Sequence, residues 1–590
     1  MATETKVQAF VHALEEGGWV SRMRLALLLA AILAVYCVFI FANFRGLAHP
    51  KAMDQAQIAR ELASGHGFST KFIRPAAITQ FVTNKGTFPD ENTPDTYNAP
   101  LNPFINSLFL RFTKDSWHMT PKDIVYTNDR VIAAISMLFF LASVGVNFCT
   151  GKRLFDRRLA LLGMGLMLVS DVFWQFSISG LPQMLMLFLF SLCTYFLVRA
   201  VEARQAERSP VLWLLLAGLG FGLLALAHGL TLFIFGGAFL FVGLVFWPRT
   251  GLWWLRILKN PAWLMAAVVA VCYAPWMARN YEVCGSPFGI GIYSGLFQIR
   301  GTESEIMRTL KLELRGINPT TFRNKVQAQT LDQLAKIYSY LGCSLVAPVF
   351  FLALLHLFKN PLSSVFKWGV LLMWLAALFG MSVFGMSDDF AGLQSNNLHV
   401  LFIPMFIFYG MAFVLVLWTR LTNDRPEINI KLIRVAFLVF IYLVSGGPLL
   451  QTLTASTPGR VQWPPYVPPF IAILNKWTNE NEIIASDMPW AVAWYAERKS
   501  LWVPGTVAEF LALNDYGRIH GALVGLYLTP VTGNARFIGD IIKGEYKEWA
   551  PFILRNINTR NFPLRAVTAL PIDNECIFYC DRDRWSEKTD

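Results

Sequence analysis

Charge is scarce in this chain. Of its 590 residues only 15% are Asp, Glu, Lys or Arg, while 55% are hydrophobic and the mean hydropathy is +0.44. A typical soluble domain carries roughly 25% charged residues, and a soluble fold of this size could not hide so much apolar surface. Cysteine is equally uninformative about redox or metal chemistry: there are eight, with no CxxC pair and no His-rich tract. Cys37, Cys149, Cys193, Cys272 and Cys343 lie in or beside apolar runs and read as packing residues. Cys284 sits in a loop without an evident partner. Cys576 and Cys580 would lie about 13 Å apart on one face of a strand, too far for a disulfide to each other. No Gly-rich phosphate loop occurs, which argues against nucleotide binding. The first apolar run has no small-residue cleavage site behind it and reads as a retained span rather than a signal peptide.

What is present is a succession of apolar runs. Eleven read as membrane spans: Leu25–Phe44, Val131–Cys149, Leu159–Phe176, Leu181–Val198, Val211–Leu226, Leu230–Trp247, Trp263–Met277, Tyr340–Phe358, Gly369–Met386, Leu398–Trp418 and Val435–Leu453. The net charge of +12 could suggest nucleic acid in a soluble protein. Here the basic residues cluster in short loops after every second span (Lys152, Arg153, Arg157 and Arg158; Arg204 and Arg208; Arg249, Arg256 and Lys259; Lys359 and Lys367; Arg420, Lys431 and Arg434), joined by Arg22 and Arg24. The positive-inside rule then sets that side in the cytoplasm, so nucleic acid is not the expected partner. The expected organisation is a cytoplasmic amphipathic segment (1–24), a transmembrane region (25–453) with long outer loops at 45–130 and 279–338, and an extracytoplasmic α/β domain (454–590). Loops of this length usually carry function.

The C-terminal domain reads as helix Pro469–Thr478, strand Glu482–Ser486, helix Trp490–Arg498, strand Leu501–Pro504, helix Val507–Leu513, strand Ala522–Leu528, a long helix over 535–556, and strands Arg565–Leu570 and Cys576–Cys580 closed by a turn at Pro571–Asn574. This alternation favours a mostly parallel sheet.

The first outer loop is the most informative stretch. Met53-Asp54-Gln55 leads through Ile58, Arg60 and Glu61 to Gly65-His66-Gly67-Phe68 with helical spacing, Gly65 ending a helix expected to lie on the membrane. Lys71, Arg74 and Tyr97-Asn98-Ala99-Pro100-Leu101-Asn102-Pro103 follow. Asn128-Asp129-Arg130 opens the second span and Gly151-Lys152-Arg153-Leu154-Phe155 closes it. Pro275-Trp276-x-x-Arg279-Asn280-Tyr281-x-x-x-Gly285 lies where the seventh span ends. Over roughly residues 25–450 this series resembles the GT-C class of membrane glycosyltransferases, nearest to its protein mannosyltransferase-like and lipid A aminoarabinose transferase-like branches.

The resemblance implies a polytopic α-helical membrane fold of bacterial inner-membrane type. It also implies a sugar donor linked to a polyprenyl phosphate, inversion at the anomeric carbon, and an acceptor that is lipid, glycan or protein. Asp54 stands at the position of the general base; a helix-terminal acid stabilised by the dipole is the other reading. Arg279 is the first candidate for the lipid phosphate, with Lys71, Arg74 and Arg300 behind it. Tyr97, Asn280, His228, His399, Asp388 and Asp389 are further candidates near the same surface. No cofactor is required, and a divalent cation is not indicated.

Where relatives often carry charge, this chain has Gln55, Gln183, His228 and His399. Each exchange removes or weakens a charge, which leaves a second reading: a catalytically silent subunit of a membrane complex. A transporter is disfavoured, because the two halves do not repeat in hydropathy and no pair of broken helices is evident.

Overall fold

The computed structural model describes residues 44–586 except 45, 48, 90, 121–122, 124, 249–251, 298, 300, 312–317, 388, 391, 425–430, 455–467, 516–522, 530–541, 558–561 and 571–575, with a few positions between 23 and 37. The expected amphipathic segment and most of the span Leu25–Phe44 lie outside the described residues.

The helices that matter here are α1 (Pro50–Ser64), α2 (Leu101–Leu110), α3 (Thr127–Leu154), α4 (Arg157–Val169), α5 (Asp171–Ser179), α6 (Gln183–Gln205), α7 (Val211–Ala227), α8 (Thr231–Val245), α9 (Ala262–Cys284), α10 (Pro319–Ala335), α11 (Pro361–Phe384), α12 (His399–Asp424) and α13 (Lys431–Thr454). Among the described residues six of them (α3, α6, α9, α11, α12 and α13) are long and apolar enough to cross a bilayer. The pair α4–α5, bent by 56°, makes a seventh if counted as one span, and α7 and α8 are shorter apolar helices. The chain is a multi-pass membrane protein.

Two readings of the spans need correction. The expected span Tyr340–Phe358 is not one helix but a series of short pieces, Ile337–Tyr340, a 3-10 turn at Ala347–Val349 and Phe350–Ala353. Gly342 (φ 71°) and Cys343 (φ 53°) adopt the left-handed region, which ends a helix. The expectation that no two helices are broken fails for the same reason. The break at Gly342 packs on the break between α4 and α5: a Cβ on Gly342 would meet Val172 Cγ1 at 2.7 Å and Ser170 Oγ at 2.8 Å.

The strands are β1 (Phe72–Ile73), the small antiparallel pair β2 (Asp389–Phe390) and β3 (Leu393–Gln394), then β4 (Ile483–Ser486), β5 (Lys499–Trp502), β6 (Leu523–Leu528), β7 (Ala566–Ala569) and β8 (Ile577–Cys580). Six form one sheet in the order β1-β5-β4-β6-β8-β7. Strands β1, β5, β4 and β6 run parallel, while β8 is antiparallel to β6 and β7. The strand positions agree closely with the sequence reading, but the edge strand β1 comes from the first loop, more than 400 residues earlier. The expected helix 535–556 reduces, among its described residues, to a turn at Lys547–Trp549 and Ala550–Ile553. Trp490–Arg498 is a short helix followed by a π-type turn, Val492–Ala496.

Helix α1, expected to lie on the membrane, is covered by protein. It is buried over most of its length, Asp54, Gln55, Gln57, Arg60 and Glu61 included, because it is wedged between α2 and the turn Val492–Ala496. His49 caps its start, Nδ1 accepting the Lys51 N–H at 3.1 Å, and Gly65 (φ 93°) closes it. Arg60 crosses to the C-terminal segment, donating to the carbonyls of Trp494 (2.8 Å) and Ala493 (2.7 Å). Asp129, at the head of α3, accepts from Trp494 Nε1 (2.7 Å) and the Tyr495 hydroxyl (2.9 Å). One arginine and one aspartate thus bolt the sheet to the bundle.

Truncating Arg60 would leave two buried carbonyls unpaired. Arg60→Ala should destabilise the protein by about 2–4 kcal/mol, the cost of losing two charge-assisted hydrogen bonds with a desolvation penalty. A melting curve in detergent checks this, and an unchanged midpoint would mean the clamp is dispensable.

Candidate active-site cavity

Helix spacing explains which side chains converge. On α1, Lys51 and Gln55 are four residues apart and share a face. On α9, Tyr273, Trp276 and Asn280 share another. Both faces line one cavity of about 410 Å³, together with Tyr97, Asn98, His228, Asn396 and the apolar side chains of Leu230, Phe233, Phe288, Ile292 and Phe384. Its lining combines polar groups, Lys51, Gln55, Asn98, His228, Asn280 and Asn396 among them, with aromatic and aliphatic side chains. Phe288 and Ile292 are 44% and 45% exposed, so the cavity reaches the surface on that side.

Asp54 lies behind this wall, on the neighbouring face of α1, 1% exposed. Its Oδ2 accepts from Arg74 Nη2 at 2.5 Å and Asn98 Nδ2 at 2.6 Å, and its Oδ1 from Gln57 Nε2 at 3.2 Å. Arg74 also reaches Asp95 at 3.5 Å, and its guanidinium carbon lies 3.9 Å from the Phe72 ring centre and 4.2 Å from that of Tyr97. Asp95 Oδ2 in turn accepts the backbone N–H groups of Asn98 (2.7 Å) and Tyr97 (3.2 Å). One guanidinium therefore serves two buried carboxylates. Asn98 is the link outward, touching Asp54 on one side and lining the cavity on the other.

The cations expected to meet a lipid phosphate are placed otherwise. Arg279 donates to the carbonyls of Asp95 (2.5 Å) and Phe68 (3.1 Å) and to Asn280 Oδ1 (2.9 Å), stacked near Trp276 and Phe68. It braces the Asp95 loop, and its neighbour Asn280 lines the cavity. Lys71 pairs with Glu61 at 3.3 Å and donates to the Glu497 carbonyl at 3.4 Å, under the sheet. Arg74 is committed to the two carboxylates. Arg300 and Asp388 lie outside the described residues, and Asp389 is in β2, its side chain undescribed.

The two histidines differ. His228 lines the cavity; its Nδ1 accepts from the Leu230 N–H (3.4 Å), which leaves Nε2 to donate to Asn396 Oδ1 (3.2 Å). His399 is fully buried away from it, accepting from Trp374 Nε1 (3.1 Å), bonded to Gln333 (3.2 Å) and stacked on Tyr340. Both hold a neutral tautomer by their partners. Gln183 donates to the Ser395 carbonyl at 2.6 Å, next to Asn396. Tyr97 presents its hydroxyl to Glu303.

Sequence reasoning passed over Lys51, Asp95 and Asn396. Lys51 is the cation that does line the cavity, its ammonium 5.7 Å from the Tyr97 ring. The signal was available: Lys51 stands three residues before Asp54 and four before Gln55. Asp95 precedes the quoted Tyr97-Asn98 motif by two, a spacing at which an Asp commonly caps the following backbone N–H groups.

Comparison with known proteins bears on the fold. Residues 122–278, from just before α3 to near the end of α9, match the family model of the dolichyl-phosphate-mannose-protein mannosyltransferases. No curated protein matches the chain. The archaeal oligosaccharyltransferase AglB of Archaeoglobus fulgidus, solved with an inhibitory peptide and a dolichol-phosphate, aligns with a TM-score of 0.52 at 13% identity, over 87% of this chain and 70% of that one. The same protein tethered to an acceptor peptide aligns with a TM-score of 0.52 at 13% identity, over 91% and 72%. ArnT from Cupriavidus metallidurans bound to undecaprenyl phosphate aligns with a TM-score of 0.49 at 13% identity, over 96% and 98%. The helical bundle, the loops folded against one end of it and the appended sheet together give this chain the GT-C fold, the fold of polytopic membrane glycosyltransferases.

Proposed function

We propose that the protein transfers a sugar from a polyprenyl-phosphate carrier to a hydroxyl acceptor, with inversion, on the extracytoplasmic face of a bacterial inner membrane. The observation that carries this reading is the mixed lining of the cavity: among the described residues, the Lys51 ammonium and several amides stand with aromatic and aliphatic walls, open at Phe288 and Ile292. A lipid phosphate likewise joins a charged head to apolar chains. The clustering of Lys and Arg in the loops that follow every second expected span supports the orientation.

In this reaction the acceptor oxygen attacks the anomeric carbon, the bond from that carbon to the phosphate oxygen breaks, and the phosphate leaves with the bonding electrons. The leaving group gains negative charge as the bond stretches, so a cation there favours the transition state over the ground state. Lys51 fills that role, with Gln55, Asn98 and Asn280 as neutral hydrogen-bonding groups. The acceptor proton passes to a carboxylate. Asp54 is the proposed base, reached through the wall that Asn98 forms; its Oδ1, held only by Gln57, is the oxygen to receive the proton.

The closure of Asp54 favours the second reading, a silent subunit. Three donors occupy the carboxylate, and it does not line the cavity. The two readings diverge in cells: loss of a transferase leaves its lipid-linked sugar unconsumed, whereas loss of a scaffold depletes the complex it belongs to.

Lys51→Met should reduce transfer by about 100- to 1,000-fold, the range for removing one donor to a developing negative charge, and Lys51→Arg should restore part of it. Asp54→Asn should abolish transfer and also lower the melting midpoint in detergent, because it breaks the buried pair with Arg74. Mass spectrometry of lipid-linked sugars, with and without the protein, reads both. Unchanged pools in the Lys51 and Asp54 variants would reject the enzyme reading.

Asp95 adds a pH signature. Burial, then the adjacent Asp54 carboxylate, raises its pKa to about 6, against the opposing pull of Arg74 and the Asn98 N–H. In the unfolded chain an aspartate titrates near 3.9. The folded state thus holds the proton more tightly between about pH 4 and pH 6, and this carboxyl's contribution to stability falls as pH rises through that window. Asp95→Asn should remove that loss, so the parent and variant melting midpoints should diverge between pH 4 and pH 6 in the variant's favour. Parallel curves would show that Asp95 does not titrate there.

A further inference from the structure

Helix α9 is seated by two glycines. Gly218 and Gly222 stand four residues apart on one face of α7. A Cβ on Gly218 would meet the Met265 carbonyl oxygen at 2.9 Å, and one on Gly222 would meet Cys272 Cβ at 2.7 Å. Helices α7 and α9 therefore approach closely along this stretch, and the residue of α9 that follows Cys272 is Tyr273. Helix α7 ends at Ala227, and the chain turns at His228-Gly229 before α8. The Tyr273 hydroxyl comes to rest against that turn. A Cβ on Gly229 would meet the hydroxyl oxygen at 3.7 Å and nothing else within 4 Å outside its chain neighbours. Space thus remains beside the hydroxyl, and both Tyr273 and Gly229 line the cavity.

This hydroxyl is unspent. Tyr273 is only 9% exposed, yet its oxygen makes no hydrogen bond among the described residues. Its ring joins neither of the packed apolar clusters that those residues form. Burying an unpaired hydroxyl is costly, and a phenylalanine would fill the same volume without that cost. The polar side chains around it are engaged elsewhere. His228 is held by the Leu230 N–H and Asn396, Asn396 Nδ2 donates to the Gly385 carbonyl at 3.0 Å, and Gln55 is held by Asn98 and Asn102. The Tyr273 hydroxyl is therefore left for a group that enters the cavity.

We propose that Tyr273 hydrogen-bonds a hydroxyl of the donor sugar, and so distinguishes a sugar-bearing carrier from the bare one. The assignment rests on the transfer reading above. Within that reading, chemistry separates sugar from phosphate. An ionised phosphate oxygen only accepts, and a cation serves it best; Lys51 is that cation. A phenol hydroxyl both donates and accepts, as a sugar hydroxyl does. Trp276, one turn further along α9, lines the cavity as well. An aromatic body beside a polar tip matches a sugar ring, with its apolar C–H face and polar rim.

Tyr273→Phe removes one oxygen and breaks no bond within the protein, so its melting midpoint in detergent should stay at the parental value. Native mass spectrometry of the purified full-length protein reads the proposal. The probe is a lipid extract of cells lacking the protein, which under the transfer reading holds both sugar-bearing and bare carrier. The parent should retain the sugar-bearing form in preference. Tyr273→Phe should lower the ratio of sugar-bearing to bare carrier by roughly 5- to 100-fold, the effect of leaving one buried partner unpaired. Its binding of pure undecaprenyl phosphate should match the parent's. An unchanged ratio would overturn the assignment, and so would an equal loss of undecaprenyl phosphate, which would move the contact to the phosphate. A parent that holds neither form of carrier would sink the transfer reading itself, and the sugar contact with it.

Discussion

The arrangement around the cavity depends on one buried arginine. Arg74 stands between Asp54 and Asp95, at 2.5 Å and 3.5 Å, with the rings of Phe72 and Tyr97 beside it. Burial and the neighbouring Asp54 carboxylate raise the cost of charging Asp95, and the guanidinium opposes both. Arg74 is itself placed by the residues just before it. Phe72 and Ile73 form β1, paired in parallel with Ser500 and Leu501 of β5. The C-terminal sheet therefore positions the guanidinium that positions the carboxylates, and the sheet is in turn fastened to the bundle by Arg60 and Asp129.

This dependence changes the meaning of the C-terminal segment. It is not an independent appendage, because one of its sheet's edge strands belongs to the first loop and its π-type turn covers α1. The sheet gives the buried Asp54 and Asp95 carboxylates a rigid, largely dry setting. Asn98, in contact with both Asp54 and the cavity, links that buried cluster to the cavity wall.

The neutral side chains Gln55, Gln183, His228 and His399 also acquire a physical context. Gln55 accepts from Asn102 at 2.6 Å and faces the cavity, Gln183 holds the Ser395 carbonyl, His228 holds Asn396, and His399 is locked in the core by Trp374 and Gln333. Each is a neutral group hydrogen-bonded to a neutral partner, while Gln183 Oε1 is buried without one. Among the described residues that line the cavity the charged one is Lys51, with Glu303 and Asp54 near enough to act on it.

How much of this was legible in the sequence follows from the range of the interactions. Composition and hydropathy determined that the chain crosses a membrane many times, because burying that much apolar surface admits no soluble alternative. Local pattern located the C-terminal strands to within a few residues, since strands and turns are specified over a handful of neighbours. The motifs pointed to the right loops: Trp276 and Asn280 of the Pro-Trp-x-x-Arg-Asn-Tyr stretch line the cavity, as do Tyr97 and Asn98. Three decisions belonged to tertiary structure alone. Which face of α1 looks into the cavity, Lys51 and Gln55 or Asp54, depends on what packs behind the helix. Whether a cation meets solvent or a carbonyl depends on loops distant in sequence, and for Arg279 those are the carbonyls of Phe68 and Asp95. That the chain breaks at Gly342 rather than continuing as a span depends on its packing against Ser170 and Val172. Hydropathy reads each segment alone, and none of these three outcomes is a property of a segment alone.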